Sequence, residues 1–198
     1  MIIIHQYLNM KNLTELANKY GTDKGTMSYG HGYSVIYNEL FKDWQDKSIK
    51  LLEIGVCDPR FPGASLKMWS EYFSEGYILG LDINPDAKSF ITNRTQVCIG
   101  DQNNTIDLGL MKQFCGPEFD IIIDDGSHVG EHILTSFKAL WNSVKPGGYY
   151  IIEDLHSIYA NADITIAELN NFIEREKLNI DKQHSFGGKL IIMKKPLD

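Results

Sequence analysis

The chain has 198 residues, 43% of them hydrophobic, which predicts one compact domain with a substantial core rather than two full domains. Its formal net charge of -7 argues against binding to nucleic acid, because phosphate contacts need clustered Lys and Arg side chains. The three cysteines, Cys57, Cys98 and Cys115, form no CxxC pair, so the sequence predicts neither a disulfide framework nor a structural zinc site.

The apolar start of the chain, residues 1–4 (MIII), is too short for a secretory signal. No apolar run approaches the roughly 18 residues of a membrane span. We therefore expect a cytoplasmic protein that does not contact a membrane. The absence of a disulfide pattern fits the same reducing compartment.

The first 45 residues are predicted to be helical. Residues 10–20 carry apolar side chains at helical spacing, and Gly21 suits the position that ends a helix. Residues 34–44 (SVIYNELFKDW) repeat the apolar pattern. Between the two predicted helices, residues 21–25 (GTDKG) interrupt the helical pattern.

From residue 49 onward, strand-like and helical segments alternate. The predicted strands are residues 49–56, 77–83, 95–102, 119–125 and 147–155, and the predicted helices between them are residues 65–73, 105–114 and 131–144. Strands separated by helices indicate β-α-β units with right-handed crossovers. A helix at residues 164–176 and a hairpin within residues 178–195 follow. The sequence thus predicts an α/β fold, with a mostly parallel sheet, an antiparallel C-terminal hairpin and helices on both faces.

Every predicted parallel strand ends in acidic residues. The five strand ends contain Glu53, Asp82, Asp101, the pair Asp124 and Asp125, and the pair Glu153 and Asp154. One acidic strand end is weak evidence, because Asp is a common turn and helix-capping residue. In an open α/β sheet, however, ligands bind at the carboxyl ends of the strands, where such side chains converge. Five acidic ends in succession therefore indicate a polar ligand site.

The loop after the first strand points to the kind of cofactor. Residues 53–65 (EIGVCDPRFPGAS) contain no G-x-G-x-x-G motif, and Glu53 would repel a pyrophosphate. Asp82 lies about where a β-α-β nucleotide site has the acid that binds the ribose hydroxyls. Asp101 and Gln102 can offer an acceptor and an amide to the edge of the adenine. S-adenosylmethionine has a ribose, an adenine and an ammonium group but no phosphate, so it is the predicted cofactor.

Several segments resemble class I methyltransferases, which have a Rossmann-like fold. Residues 21–25 (GTDKG), 51–56 (LLEIGV), 119–128 (FDIIIDDGSH) and 149–154 (YYIIED) look like those of the enzymes that methylate sugar hydroxyls in macrolide and rhamnosylated tetracenone products. Similar motifs occur in the related cephalosporin hydroxylase-type family. The resemblance covers roughly residues 16 to 160 and implies a magnesium-assisted sugar O-methyltransferase.

The resemblance also assigns roles to individual residues. It implies S-adenosylmethionine contacts from Glu53, Gly55, Ser65, Asp82, Ile83, Asp101, Gln102 and Asp124, and magnesium ligation by Asp125, Glu153 and Asp154. It implies that His128 is the general base. Secondary candidates in the early segments are Thr22, Lys24, His31 and Tyr33. By the same resemblance, residues 1–45 form a helical cap over cofactor or acceptor, and residues 46–198 form the catalytic domain, in one compact unit.

The chemistry of these residue types agrees with the implied roles. Magnesium prefers oxygen ligands and keeps several waters, so three carboxylates leave positions for two neighbouring sugar hydroxyls. The ion should lower the pKa of a hydroxyl, and His128 can then take its proton. Adjacent strand residues point to opposite faces, so Glu153 and Asp154 can bind one ion only if the strand has already ended.

One departure from the family pattern concerns the acceptor. Residues 155–177 form a shorter segment than in family members that act on large glycosides, which implies a smaller acceptor lid. A simple sugar, a nucleotide sugar or a growing polysaccharide is then as suitable as a macrolide, and His156 can help to hold it. The resemblance further implies a homo-oligomer, either a dimer or a tetramer.

Two other classes of protein stay open at this point. A metal-dependent hydroxylase or hydrolase can use the same acids, but a non-haem iron site wants two histidines and one carboxylate, and here the acids outnumber suitably placed histidines. A non-catalytic cofactor-binding domain is the second alternative. For single residues, His128 can also be a helix-start residue, and Glu153 with Asp154 can cap a helix.

Overall fold

The computed structural model describes residues 10–186 and 189–197, except for the side chains of residues 182–186, so the apolar MIII start lies outside the described residues. The helices are α1 (Leu13–Tyr20), α2 (Tyr33–Phe41), α3 (Ala64–Tyr72), α4 (Thr105–Cys115), α5 (Gly130–Leu140) and α6 (Ala162–Arg175). The strands are β1 (Lys50–Ile54), β2 (Tyr77–Asp82), β3 (Thr95–Ile99), β4 (Phe119–Asp124), β5 (Val144–Ile152), β6 (Lys182–Phe186) and β7 (Leu190–Lys194). Within these ranges, no helix combines the length and apolar character that a bilayer crossing requires.

The seven strands form one mixed sheet in the order β3-β2-β1-β4-β5-β7-β6. β1 pairs in parallel with both β2 and β4, and β5 continues the parallel part beside β4. β7 runs antiparallel to β5 and to β6, which makes the C-terminal hairpin. The predicted α/β fold is confirmed. The strand order reverses between β1 and β4, so a ligand crevice is expected at the carboxyl ends of these two strands.

Alternating side chains of the central strands bury one hydrophobic layer on each face of the sheet. On one face, Leu51 belongs to the same cluster as Tyr37 of α2 and Trp69 of α3. On the other face, Leu52 belongs to a cluster with Phe137 of α5. The N-terminal helices therefore share the core of the sheet, and their position over β1 brings the early loops to the strand ends.

The start of β5 differs from the sequence prediction. Helix α5 ends at Leu140, and β5 begins at Val144 instead of residue 147. Gly147 has a φ of 78° inside the strand, and the pairing of β4 with β5 shifts register between Phe119 and Ile121. The Pro-Gly-Gly segment thus bends a strand that has already begun, because glycine tolerates the irregular backbone.

Candidate active site

A cleft of about 450 Å³ opens at the carboxyl ends of β1, β2 and β4, a size typical of small-molecule sites. Nine of the residues singled out in the sequence line it: Gly55, Ser65, Asp82, Ile83, Asp101, Gln102, Asp125, His128 and Asp154. Thr22 and Lys24 from the secondary candidates line it as well. The remaining three predicted residues, Glu53, Asp124 and Glu153, are buried beneath its surface.

The floor of the cleft forms where the loop after β1 meets the loop after β4. Gly55 has a φ of 84°, and a Cβ atom at this position would lie 2.1 Å from the carbonyl oxygen of Asp125. The N–H of Asp125 donates to the carbonyl of Ile54 at 3.0 Å. Only glycine permits this approach, so Gly55 is needed to bring Asp125 beside the end of β1.

Substitution of Gly55 by Ala is expected to lower the free energy of unfolding by about 1–3 kcal/mol, because alanine is strained at this φ and its Cβ collides with Asp125. Gly109 of α4 is the matched control, since a Cβ atom there meets nothing within 4 Å. Gly109→Ala should stabilise the helix by about 0.5–1 kcal/mol. Urea unfolding followed by circular dichroism measures both variants, and effects of the same sign would contradict this account of Gly55.

The β2 and β3 side of the cleft is built from groups that also bond within the protein. Asp82 Oδ2 accepts from two backbone N–H groups of the loop after β1, each at 2.8 Å. The Gln102 amide donates from Nε2 to Asp124 Oδ1 at 3.0 Å and accepts at Oε1 from the N–H of Ser127 at 2.7 Å. Gln102 therefore shapes the cleft wall, and its predicted adenine contact would use the second hydrogen of Nε2 or the second lone pair of Oε1.

The structure places Asp124, which was predicted to contact the cofactor, beneath the surface of the cleft. Its side chain is 1% exposed and accepts hydrogen bonds from Gln102 and from Ser136 of α5. Asp124 is the last residue of β4 and shares its face with Ile122, whereas Asp125 turns to the opposite side. Burial raises the pKa of Asp124 to about 6. Asp124 thus supports Gln102 from beneath the cleft.

One lysine joins three of the predicted acids beneath the other side of the cleft. Lys24, 1% exposed, places Nζ 3.2 Å from Glu53 Oε1 and 2.9 Å from Glu153 Oε2, and it pairs with Asp125 Oδ2. Glu53 Oε2 accepts from Ser65 Oγ at 2.6 Å. Burial by itself lowers the pKa of Lys24, but the carboxylates, Asp125 foremost, raise it well above its usual value. Lys24 is therefore a buried ammonium that links an acid of β1 to the acids that directly follow β4 and β5.

Glu153 is enclosed more completely than its neighbour Asp154. Its Oε2 pairs with Lys24, and its Oε1 accepts from the Tyr37 hydroxyl of α2 at 2.6 Å. Burial raises the pKa of Glu153 to about 7. To bind the same metal ion as Asp125 and Asp154, Glu153 would have to give up its ion pair with Lys24. Its role as a ligand stays a prediction.

Asp125, His128 and Asp154 meet at the rim of the cleft, and one donor atom of each lies within 4.8 Å of the others. His128 Nε2 is 3.9 Å from Asp125 Oδ1 and 3.9 Å from Asp154 Oδ2, beyond hydrogen-bond reach. β5 ends at Ile152, so Glu153 and Asp154 lie outside the strand. Two adjacent acids can bind one ion only under this condition. His128 and Asp154 both have a φ of 55°, which costs about 1–3 kcal/mol per residue. Such strain at two residues whose side chains meet is typical of functional sites.

The donor set at the rim fits a small divalent cation. Asp125 Oδ1 and Asp154 Oδ2 are the hard oxygen ligands that magnesium prefers. A cation would also offset the negative charge that the single ammonium of Lys24 leaves among the acids. Burial lowers the pKa of His128, so its ring is neutral near pH 7 and can accept a proton.

No protein-family model matches the chain. Demethylmacrocin O-methyltransferase of Streptomyces fradiae and mycinamicin VI 2''-O-methyltransferase of Micromonospora griseorubida are each 41% identical to it over 152 residues. A tetracenomycin-C 2'-O-methyltransferase of Streptomyces olivaceus, which acts on the 8-demethyl-8-alpha-L-rhamnosyl form, is 36% identical over 154 residues. The first two matches cover 75% of this chain but 37% of each relative, so the chain spans well under half the length of these relatives.

Solved structures agree with this similarity. The MycE methyltransferase of the mycinamycin biosynthetic pathway, in complex with Mg, SAH and mycinamycin VI, has a TM-score of 0.82 and 33% identity, over 95% of this chain and 56% of that chain. A second crystal form with Mg and SAH has the same TM-score at 31% identity. By sequence, the chain is similar to these sugar O-methyltransferases of the macrolide and tetracenomycin pathways, and it shares the fold of the MycE methyltransferase.

Proposed function

We propose that the protein is an S-adenosylmethionine-dependent, magnesium-assisted O-methyltransferase that acts on a hydroxyl of a sugar-containing small molecule. The observation that carries this proposal is the meeting of Asp125, His128 and Asp154 at the rim of a cleft of suitable size. The MycE structure, which contains Mg, SAH and mycinamycin VI, supports all three components. The hydroxylase, hydrolase and non-catalytic alternatives have no comparable support among the named relatives.

In this proposal the residues of the cleft divide by role. Asp82 and Asp101 lie on the cofactor side, and Asp125 and Asp154 would hold the metal at the rim. S-adenosylmethionine supplies the methyl group, and magnesium, when bound, makes the acceptor hydroxyl more acidic and orients it. His128 takes the hydroxyl proton at Nε2, because its ring is neutral and borders both acids.

Residues of the N-terminal segment contact the acids of the site and hold them in position. Lys24 holds Asp125 Oδ2, which leaves Oδ1 facing the rim. Tyr33 and Tyr37 lie one turn apart on α2, and the Tyr33 hydroxyl donates to Asp154 Oδ1 at 2.6 Å. Residues 1–45 would therefore act as a cap that orders the acids besides covering the cofactor or acceptor, with residues 46–198 as the catalytic domain.

The acceptor is proposed to carry an apolar part next to its sugar. Ile158 and Tyr159 are 86% and 66% exposed and follow His156 in the loop after Asp154, and this exposed apolar surface supports the proposal. We also propose a cytoplasmic location and a homodimer or homotetramer, whose mass light scattering would measure. The net charge of -7 supports a role away from nucleic acid.

Calorimetry with S-adenosylmethionine and S-adenosylhomocysteine tests the cofactor directly, and both should bind to the full chain. Transfer of a labelled methyl group to a panel of glycosides should cease in excess EDTA and return with magnesium, because the ion orients the acceptor. Failure of both cofactor forms to bind would contradict the methyltransferase proposal. Full activity in excess EDTA would instead remove magnesium from it.

A further inference from the structure

Histidines from three separate segments surround the Asp154 carboxylate. His31 comes from the loop before α2, His128 from the loop after β4, and His156 from the loop after β5. His31 Nε2 lies 3.7 Å from Asp154 Oδ2, and His156 Nδ1 lies 3.7 Å from Asp154 Oδ1. Three histidine rings therefore approach one carboxylate to within 3.9 Å, an arrangement that the sequence did not predict.

One donor atom from each of His31, Asp154 and His156 lies within 4.8 Å of the others. Three atoms at such separations surround a point no more than about 2.8 Å from each, so side-chain shifts of roughly 0.7 Å would reach the bond lengths of zinc. The histidine side chains are 26% and 40% exposed and have room for such shifts.

The backbone holds these three donors in place. The His31 N–H donates to the carbonyl of Asp23 at 2.6 Å, and the Ser157 N–H donates to the carbonyl of Asp154 at 2.9 Å, closing a turn around His156. The rings of His31 and His156 are 5.3 Å apart between centroids and contact each other edge to face. The site would therefore need side-chain adjustment only.

We propose that His31, Asp154 and His156 form a second cation site, which takes a borderline first-row ion such as Zn²⁺ in preference to Mg²⁺. Two imidazole nitrogens and one carboxylate oxygen suit zinc, and leave a fourth position for water or a ligand. Magnesium prefers oxygen ligands, so it should favour the Asp125 side of Asp154.

Asp154 belongs both to the proposed zinc site and to the proposed magnesium site, so the two ions should compete for it. An ion held by His31 and His156 draws the Asp154 carboxylate away from Asp125. Zinc should therefore weaken magnesium binding on the other side of Asp154. This competition rests on the proposed function, whereas zinc binding itself does not.

Calorimetric titration of Zn²⁺ into the full chain, with millimolar Mg²⁺ present, tests the site. The wild-type chain should bind one zinc ion, and His31→Ala and His156→Ala should each weaken it by about tenfold or more, because losing a ligand costs at least as much as losing a supporting partner. Cobalt as a probe should give the visible spectrum of a site with nitrogen ligands, and that spectrum should disappear in both variants.

Two matched variants separate this site from other causes. His132→Ala removes a histidine that bonds Ser127 Oγ at 2.8 Å, and this variant should keep zinc affinity. Asp125→Asn removes an acid of the magnesium side only, and it should keep zinc affinity or raise it, because less magnesium then competes for Asp154. Wild-type zinc affinity in His31→Ala and His156→Ala would overturn the proposal, as would loss of zinc in Asp125→Asn alone. S-adenosylhomocysteine binding, measured on the same samples, shows that each variant is folded. If the wild-type chain binds zinc but not that ligand, the methyltransferase proposal fails and the zinc site stands.

Discussion

Replacing Lys24 with Met is expected to lower the free energy of unfolding by about 3–5 kcal/mol, because methionine keeps most of the apolar part of the side chain but removes its charge and leaves the buried carboxylates unpaired. Glu53, Asp125 and Glu153 would then face one another without the ammonium that now lies among them. In a domain of this size, such a loss should lower Tm by roughly 6–20 °C. Scanning calorimetry and urea unfolding measure it.

Lys19 provides the matched control for Lys24. It forms an ion pair with Glu71 at 2.6 Å, but its side chain is 55% exposed, so Lys19→Met should change stability far less. Adding Glu153→Gln to Lys24→Met should restore part of the lost stability, since one of the unpaired charges disappears. Wild-type stability of the single Lys24→Met variant would show that the ammonium does not hold the acids together.

Replacing His128 is expected to reduce methyl transfer by roughly 10²–10⁴-fold, the usual contribution of a positioned general base. Affinity for S-adenosylhomocysteine should change little, because the proposed mechanism assigns His128 to the acceptor hydroxyl and not to the cofactor. His128→Asn complements His128→Ala, since Asn tolerates the left-handed conformation at this position and cannot act as the base. Both variants should therefore lose activity to a similar extent.

Steady-state kinetics and calorimetry on the same preparations separate chemistry from binding in the His128 variants. His132→Ala serves as the comparison, because its ring lies in the same cleft but bonds Ser127. Its activity should fall less than about tenfold. If His128→Asn retains most of its activity, the base lies elsewhere and the left-handed backbone of His128 has only a structural role.

Local patterns accounted for most of the fold. Gly21 ends α1 with a φ of 72°, as a glycine after the last apolar position of a helix should. The continuous apolar run at residues 121–123 lies in β4, a central strand that is buried on both faces of the sheet. The start of β5 was the main error, because Gly147 permits a bend within a strand as readily as a turn before it.

Much of the candidate site was also accessible from the sequence, since the carboxyl ends of parallel strands meet at one edge of a sheet. The exceptions share a physical cause. Asp124 lies beneath the cleft because the last residue of β4 still alternates with Ile122, whereas Asp125 has left the strand. The contact of Lys24 with Glu153 joins residues more than 100 positions apart, and no local spacing encodes it.

By itself, the sequence determined the order of strands and helices, the acidic strand ends and the GTDKG and DDGSH motifs that indicate the family. The tertiary structure decided which of two adjacent acids faces the cleft, and that Lys24 lies among the acids. It also decided that His31 and His156 meet at Asp154. The reason is that helical and strand periodicity act over neighbouring residues, whereas a site depends on which loops the packing of distant segments brings together.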